Sequence, residues 1–366
     1  MQKYIYTFTL ILFFCLLFSC QKDEIDIAAH TLIIYMAADN DLSEDAVNNL
    51  QKIKEGYRNT GAKLLVFIDT AKEEPELLEI NEKGTTLLKK YPEFNSVSAE
   101  GIKNVLNDAI SLYPSESYGL VLWSHGTSWL PAGVRLKSPK AFGDDKGKQL
   151  NITDLADALP VKFDFILFDA CLMGAVEVAY ELKEKTNYIL APSTETIADG
   201  FPYDIIVPEL LSAKPDLKKT AKLYFDFYNS QYAEYRSATV SVINTQELNA
   251  LSEEMKKLIQ SEGFHFQSFN RSAVQRLDTY SEQYHFDLLD FIEKSFISDK
   301  TAFKAQLNRT ILYKAHTPRF IEMYEIRTYC GLSCYIPHFQ CNDLNTYYST
   351  LKWSVETGIS EYLKAP

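Results

Sequence analysis

The chain has 366 residues, 46% hydrophobic and 13% aromatic, enough apolar material for one large domain or two modest ones. Lys and Arg number 37 against 49 Asp and Glu, and the resulting charge of −12 argues against a nucleic-acid surface. That acidity suits solubility and a weak, salt-screened attraction for cationic substrates.

The first residues read as an address rather than as fold. Lys3 precedes a near-continuous apolar run, Thr7 to Phe18. The run is shorter than the roughly 20 residues a spanning helix needs. It ends on Leu17-Phe18-Ser19-Cys20, which resembles a bacterial lipobox. That resemblance implies a signal peptide over residues 1–19, a lipid on Cys20 anchoring the mature chain to a membrane, and a linker over 20–30. Gln21-Lys22-Asp23-Glu24 resembles an acidic export signal, so the expected location is the cell envelope, as an outer-membrane lipoprotein that could face outward. With Cys20 and Cys171 assigned to other work, Cys330, Cys334 and Cys341 make an odd set that argues against a full disulfide framework.

From Thr31 onward, short apolar runs alternate with helical spacing. Thr31 to Met36 reads as a first buried strand, and Ala37 to Leu42 leads into a helix. Lys63 to Ile68 is a second strand, ending on Asp69, and Thr85 to Tyr91 a short β element. Ser98 to Leu112 carries Ile102, Val105, Leu106 and Ala109 on one helical face. Tyr118 to Ser124 is a third strand, ending on His125-Gly126. Pro131 to Lys148 reads as an exposed loop with Arg135, Lys137, Lys140, Lys146 and Lys148. A helix through Leu159 leads to the fourth strand, Phe163 to Phe168, ending on Asp169-Ala-Cys171. A helix from Gly174 to Lys185, a fifth strand Tyr188 to Leu190 and a loop from Pro192 to Tyr203 follow. The second half reads as helices over 216–234 and 246–259, a strand Ala238 to Ile243, a helical region Phe286 to Tyr313, a last strand Gly331 to Ile336 and a closing helix from Leu344. This alternation predicts an α/β fold over residues 31–364: a mostly parallel central sheet flanked by helices, with a helical C-terminal elaboration.

In such a sheet, residues just past the carboxyl ends of strands face the ligand crevice. His125 and Cys171 both occupy such positions, and a thiol and an imidazole brought together there are a candidate nucleophile and base. Taken singly, each has a plainer reading, a structural histidine and a small buried hydrophobe. Gly126 adds a position with no side chain to block an approaching carbonyl. The His-Gly pair, Asp169-Ala-Cys-Leu-Met-Gly174, the segment Pro192 to Tyr203 and Gly331-Leu-Ser-x-Tyr-x-Pro337 together resemble the clostripain-like cysteine peptidases of the caspase-like clan.

That resemblance implies a caspase-like fold and a cysteine endopeptidase cutting peptides or proteins after Arg or Lys. It implies Cys171 as nucleophile, His125 as general acid/base, and the N–H groups of Gly126 and Cys171 as oxyanion donors. A third catalytic residue is not required. Asp169 and Asp199 match the family's pocket carboxylates, although Pro192-Ser-Thr and Ile197-Ala-Asp depart from the commoner loop pattern. Relatives are activated by cleavage in the region of the basic loop. No cofactor or metal is otherwise expected; some relatives use Ca²⁺, for which Asp39-Asn40-Asp41 is the candidate cluster, helix capping being its plainer role. The rival from another class is a lipid-anchored surface protein that binds peptides or host proteins without cutting them.

Overall fold

The computed structural model describes residues 27–132 and 142–363. Residues 1–26, Cys20 among them, and Arg135, Lys137 and Lys140 lie outside the described residues.

In chain order the first elements are β1 (Thr31–Ala38), α1 (Ser43–Gly56), β2 (Lys63–Thr70), β3 (Glu73–Asn81), β4 (Gly84–Lys90), α2 (Ala99–Leu112) and β5 (Tyr118–Trp123). After the undescribed segment come β6 (Phe142–Asp145), β7 (Lys148–Leu150), α3 (Ile152–Ala158), β8 (Phe163–Asp169), α4 (Val176–Leu182), β9 (Thr186–Ala191), α5 (Tyr203–Leu210), α6 (Leu217–Asn229) and β10 (Thr239–Asn244). The rest comprises α7 (Leu248–Glu262), β11 (Phe286–Asp287), α8 (Leu288–Ser295), α9 (Thr301–Thr310), β12 (Ile311–His316) and several shorter elements.

The sheet has nine strands in the order β12-β10-β9-β8-β5-β1-β2-β3-β4. Its centre, β9-β8-β5-β1-β2, is parallel throughout. These five strands are the apolar runs, buried on both faces as central parallel strands must be. Antiparallel strands complete each edge, β3 and β4 on one side, β10 and β12 on the other.

Alternation along the strands divides the core. Tyr35, Ala37, Phe67, Leu122 and Phe168 point to one face, covered by α2, α3, α4 and α7. Met36, Ile68, Trp123 and Leu167 point to the other, covered by α1, α5 and α6. The register aligns Ala37 with Asp69 and Trp123 with Asp169, so the strands end on a common rim.

Several expectations change. A strand not anticipated, β3, joins the sheet between β2 and β4; its sequence Glu73-Glu-Pro-Glu has poor strand propensity, but Pro75 falls where the β2–β3 register shifts between Ile68 and Thr70 and pairs with no β2 residue. The region from Phe286 is helical only to Thr310, after which β12 forms the far edge. The last strand shrinks to Ser333–Cys334, paired with β11 outside the main sheet, and the closing helix is three short ones. The end of the basic loop is not loose chain, because β6 and β7 form a hairpin that holds Lys146 and Lys148. Cys171, Cys330, Cys334 and Cys341 are free thiols, and Cys330 and Cys334 are packed in the core.

Candidate active site

The rim between β5 and β8 gathers the predicted residues. Ser124, one past β5, donates its hydroxyl to the Ala37 carbonyl at 2.6 Å and its N–H to Asp169 O at 3.3 Å. The next carbonyl, that of His125, accepts from Gly143 N–H at 2.9 Å, and Gly126 bridges to Phe142. The β6–β7 hairpin thus pins the His-Gly pair from above.

Gly126 has to be glycine. A Cβ there would lie 2.6 Å from Cys171 O, 3.0 Å from Ala170 Cβ and 3.1 Å from Cys171 N. The close approach brings the backbone after His125 against the backbone of Cys171.

Past β8, the chain turns sharply at Leu172, whose φ is 66°, with its N–H on Thr194 O at 2.8 Å. This turn presents Cys171, partly exposed, at the rim. Its sulfur accepts from Thr196 N–H at 3.3 Å and lies 3.5 Å from the Thr196 hydroxyl. Burial pushes the thiol up; the two Thr196 groups pull it back, and Glu195 and Asp169 add opposing negative charge. A thiolate in the resting protein therefore depends on Thr196.

Two contacts were not foreseen. His125 Nε2 lies 2.7 Å from Asp41 Oδ1, on the loop after β1. Glu195 Oε1 takes both the N–H and the hydroxyl of Thr279, tying the loop beside Cys171 to the C-terminal region. Asp41 was visible only as part of an acidic run, and nothing local marks Thr196.

The two proposed pocket acids differ. Asp169 is buried, and its Oδ2 accepts from Phe201 N–H at 3.0 Å and Tyr203 OH at 2.8 Å. Burial pushes this carboxyl up to about 6, while those two donors and the Lys52 charge hold it down. Gly200 must also be small, since a Cβ would meet Asp169 Oδ2 at 2.6 Å. Asp199 is exposed on the same loop, close enough to Asp45 to raise that carboxyl after burial has done so. Both acids act on Tyr228, whose hydroxyl donates to Gly200 O at 2.5 Å.

The Asp39-Asn40-Asp41 run does not converge on one point. Asp39 pairs with Lys146, Asn40 bonds backbone at Ala37, Asp144 and Leu42, and Asp41 serves His125.

The sequence model of the clostripain family matches residues 34–364. The chain belongs to that family. Membership brings the cysteine-peptidase class and the caspase-like fold. Clostripain of Hathewaya histolytica is 26% identical over 220 residues; the match spans 48% of this chain and 41% of that protein's length. An inactive zymogen C11 protease from Parabacteroides distasonis has a similar structure, with TM-score 0.80, 31% identity, and coverage of 90% of this chain and 98% of that one. A secreted C11 cysteine protease from Bacteroides thetaiotaomicron, solved with an irreversible peptide inhibitor, gives TM-score 0.79, 28% identity, and coverage of 90% and 99%.

Proposed function

We propose that the protein is an exported, lipid-anchored cysteine endopeptidase that cuts after Arg or Lys. The observation that carries this reading is the close approach of Gly126, next to His125, to the backbone of Cys171; in this reading their N–H groups are the oxyanion donors. Export and anchoring are supported by the Leu17-Phe18-Ser19-Cys20 sequence and by the secreted relative.

Cys171 passes its proton to His125 and attacks the scissile carbonyl carbon. The C–S bond forms as the C=O π electrons move onto oxygen, where the N–H groups of Gly126 and Cys171 stabilise the charge; losing one such donor typically costs roughly 100- to 1,000-fold. The intermediate collapses, and the leaving amine takes the proton from His125. Water then gives a proton to His125 and attacks the thioester, releasing the new carboxylic acid and restoring the thiol. Asp41 orients the ring through Nε2. A basic side chain at the cleavage site would meet Asp199 and the buried Asp169 behind it.

A basic acyloxymethyl ketone should label the parent on Cys171 and leave Cys171→Ala unlabelled; equal labelling of both would end the assignment. Asp41→Asn should lower kcat about tenfold with little change in KM, and Asp41→Glu should restore part of it. A change in KM alone would show that Asp41 does not orient the base.

A further inference from the structure

The loop after β9 is held from two sides. Towards the nucleophile, Thr194 O accepts from Leu172 N–H at 2.8 Å. Thr196 gives its N–H to the Cys171 sulfur at 3.3 Å, with its hydroxyl 3.5 Å from the same atom. Glu195 stands between these two residues, and its side chain serves a different part of the molecule. Its Oε1 accepts from Thr279 N–H at 2.8 Å and from the Thr279 hydroxyl at 2.7 Å. Bonds to a carboxylate are charge-assisted and stronger than neutral ones. A residue from the C-terminal region is thus two short links from the sulfur: Thr279 to Glu195, and Thr196 to Cys171.

Thr279 can act as a fixed point because the loop that carries it is closed. Leu277 N–H donates to His285 O at 2.8 Å, and Arg276 bridges to Phe286 at the start of β11. Inside the loop, Oδ2 of the buried Asp278 accepts from Tyr284 N–H at 2.5 Å and His285 N–H at 2.8 Å. The peptide just before Thr279 is gripped as well, since Arg276 Nε and Nη2 donate to Asp278 O at 2.9 and 2.6 Å. With its surroundings already ordered, Thr279 gives up little further chain entropy when it holds Glu195.

We propose that Thr279 is a positioning residue for the nucleophile: by fixing Glu195, it keeps the Thr196 donors on the Cys171 sulfur. The inference rests on the peptidase reading only in calling that sulfur the nucleophile. The clamp has two opposed effects on the thiol. After burial, which pushes the thiol up, the Thr196 groups have the larger influence and favour the thiolate; the charges of Glu195 and Asp169 oppose them. Burial pushes the Glu195 carboxyl up too, the Thr279 donors hold it down, and Asp278 adds a further rise. Tyr280 and Tyr324 also feel its charge, and its Oε2 is enclosed with no hydrogen-bond partner among the described residues. Loosening the clamp should therefore weaken the thiolate, whereas removing only the Glu195 charge should favour it.

The test follows the rate of iodoacetamide alkylation at Cys171 against pH, beside kcat and KM on a basic peptide. Peptide mapping assigns the label, because Cys341 is also partly exposed. Thr279→Val keeps the N–H bond and the branched shape and loses the hydroxyl. Its alkylation midpoint should rise by roughly half to one pH unit, with kcat about tenfold lower and KM nearly unchanged. Thr279→Ala, which adds no bulk, should move the midpoint the same way, and Thr279→Ser should restore it. Glu195→Gln keeps an oxygen for Thr279 and removes the charge, so its midpoint should fall. The proposal is overturned if the midpoint of the valine and alanine variants stays at the parent's value or falls, if serine does not restore it, or if Glu195→Gln raises it. Alkylation needs no turnover, so a parent that cuts no basic peptide would end the peptidase reading and leave this comparison standing.

Discussion

Asp69 and Asp169 end two strands of one sheet and are both enclosed, yet they are opposites in bonding. Asp169 is met by a backbone N–H and a tyrosine hydroxyl from the loop that follows β9, and a glycine clears room for it. Asp69 is met mainly by other acids. The difference teaches that position on the rim does not decide what a carboxylate does; the segment that covers it does. Beside β8 the covering loop supplies donors, the Phe201 N–H and the Tyr203 hydroxyl. Beside β2 the covering hairpin supplies another acid, Asp145, and Lys146, which pairs with Asp39 and Glu93.

Four experiments test this contrast. Cys171→Ala should remove turnover by roughly 10⁴-fold or more with Tm unchanged, locating the chemistry in the β5–β8 section alone; retained peptidase activity would dissolve the distinction between the two sections. Asp199→Asn should lower kcat/KM about 10- to 100-fold on Arg peptides and much less on matched Leu peptides, its exposure reducing what a buried partner would cost. Equal losses on both peptides would leave Asp199 with a structural role only.

The third experiment follows the pH dependence of Asp169. Its folded value, about 6, lies above the ordinary aspartate value of 3.8, so the folded state keeps a proton that the unfolded chain has already lost. Stability from this group is therefore full below about pH 4, falls as pH rises to about 6, and stays reduced above, by at most about 3 kcal/mol. Urea midpoints at pH 4, 6 and 8 should show the parent losing ground to Asp169→Asn over that interval; parallel curves would mean that the donors around Asp169 fully compensate its burial. The smallest expected effect is on Asp69. At pH 8, Asp69→Asn should be more stable than the parent by about 1–2 kcal/mol, since an amide replaces a buried anion surrounded by other carboxylates. A loss of stability would show that Asp69 has partners that offset its charge.

The centre of this fold was legible because each central strand is a short apolar run ended by a polar residue, and Cys171 and His125 stood at two such ends. The edges were harder to read. β3 carries Pro75 and four glutamates, and β12 lies in a stretch whose spacing continues the helix before it; neither strand needs an apolar run, because each has one side open to solvent. Asp169 and Asp69 look alike in sequence, each closing a hydrophobic strand, and only tertiary neighbours separated by many residues tell them apart. The same holds for Asp41, which became a histidine partner through the meeting of two loops.

The strand order has a consequence for any break in the chain between residues 132 and 142. β1 to β5 would belong to one fragment and β6 to β12 to the other, yet β5 and β8 are neighbours in the middle of the sheet. The seam would run through the hydrogen-bonded centre, so the fragments would remain a two-chain complex held by a full ladder and both core faces. His125 and Gly126 would reside on one polypeptide and Cys171 on the other. The reactive centre would then be a property of the pair, and neither fragment alone would contain it.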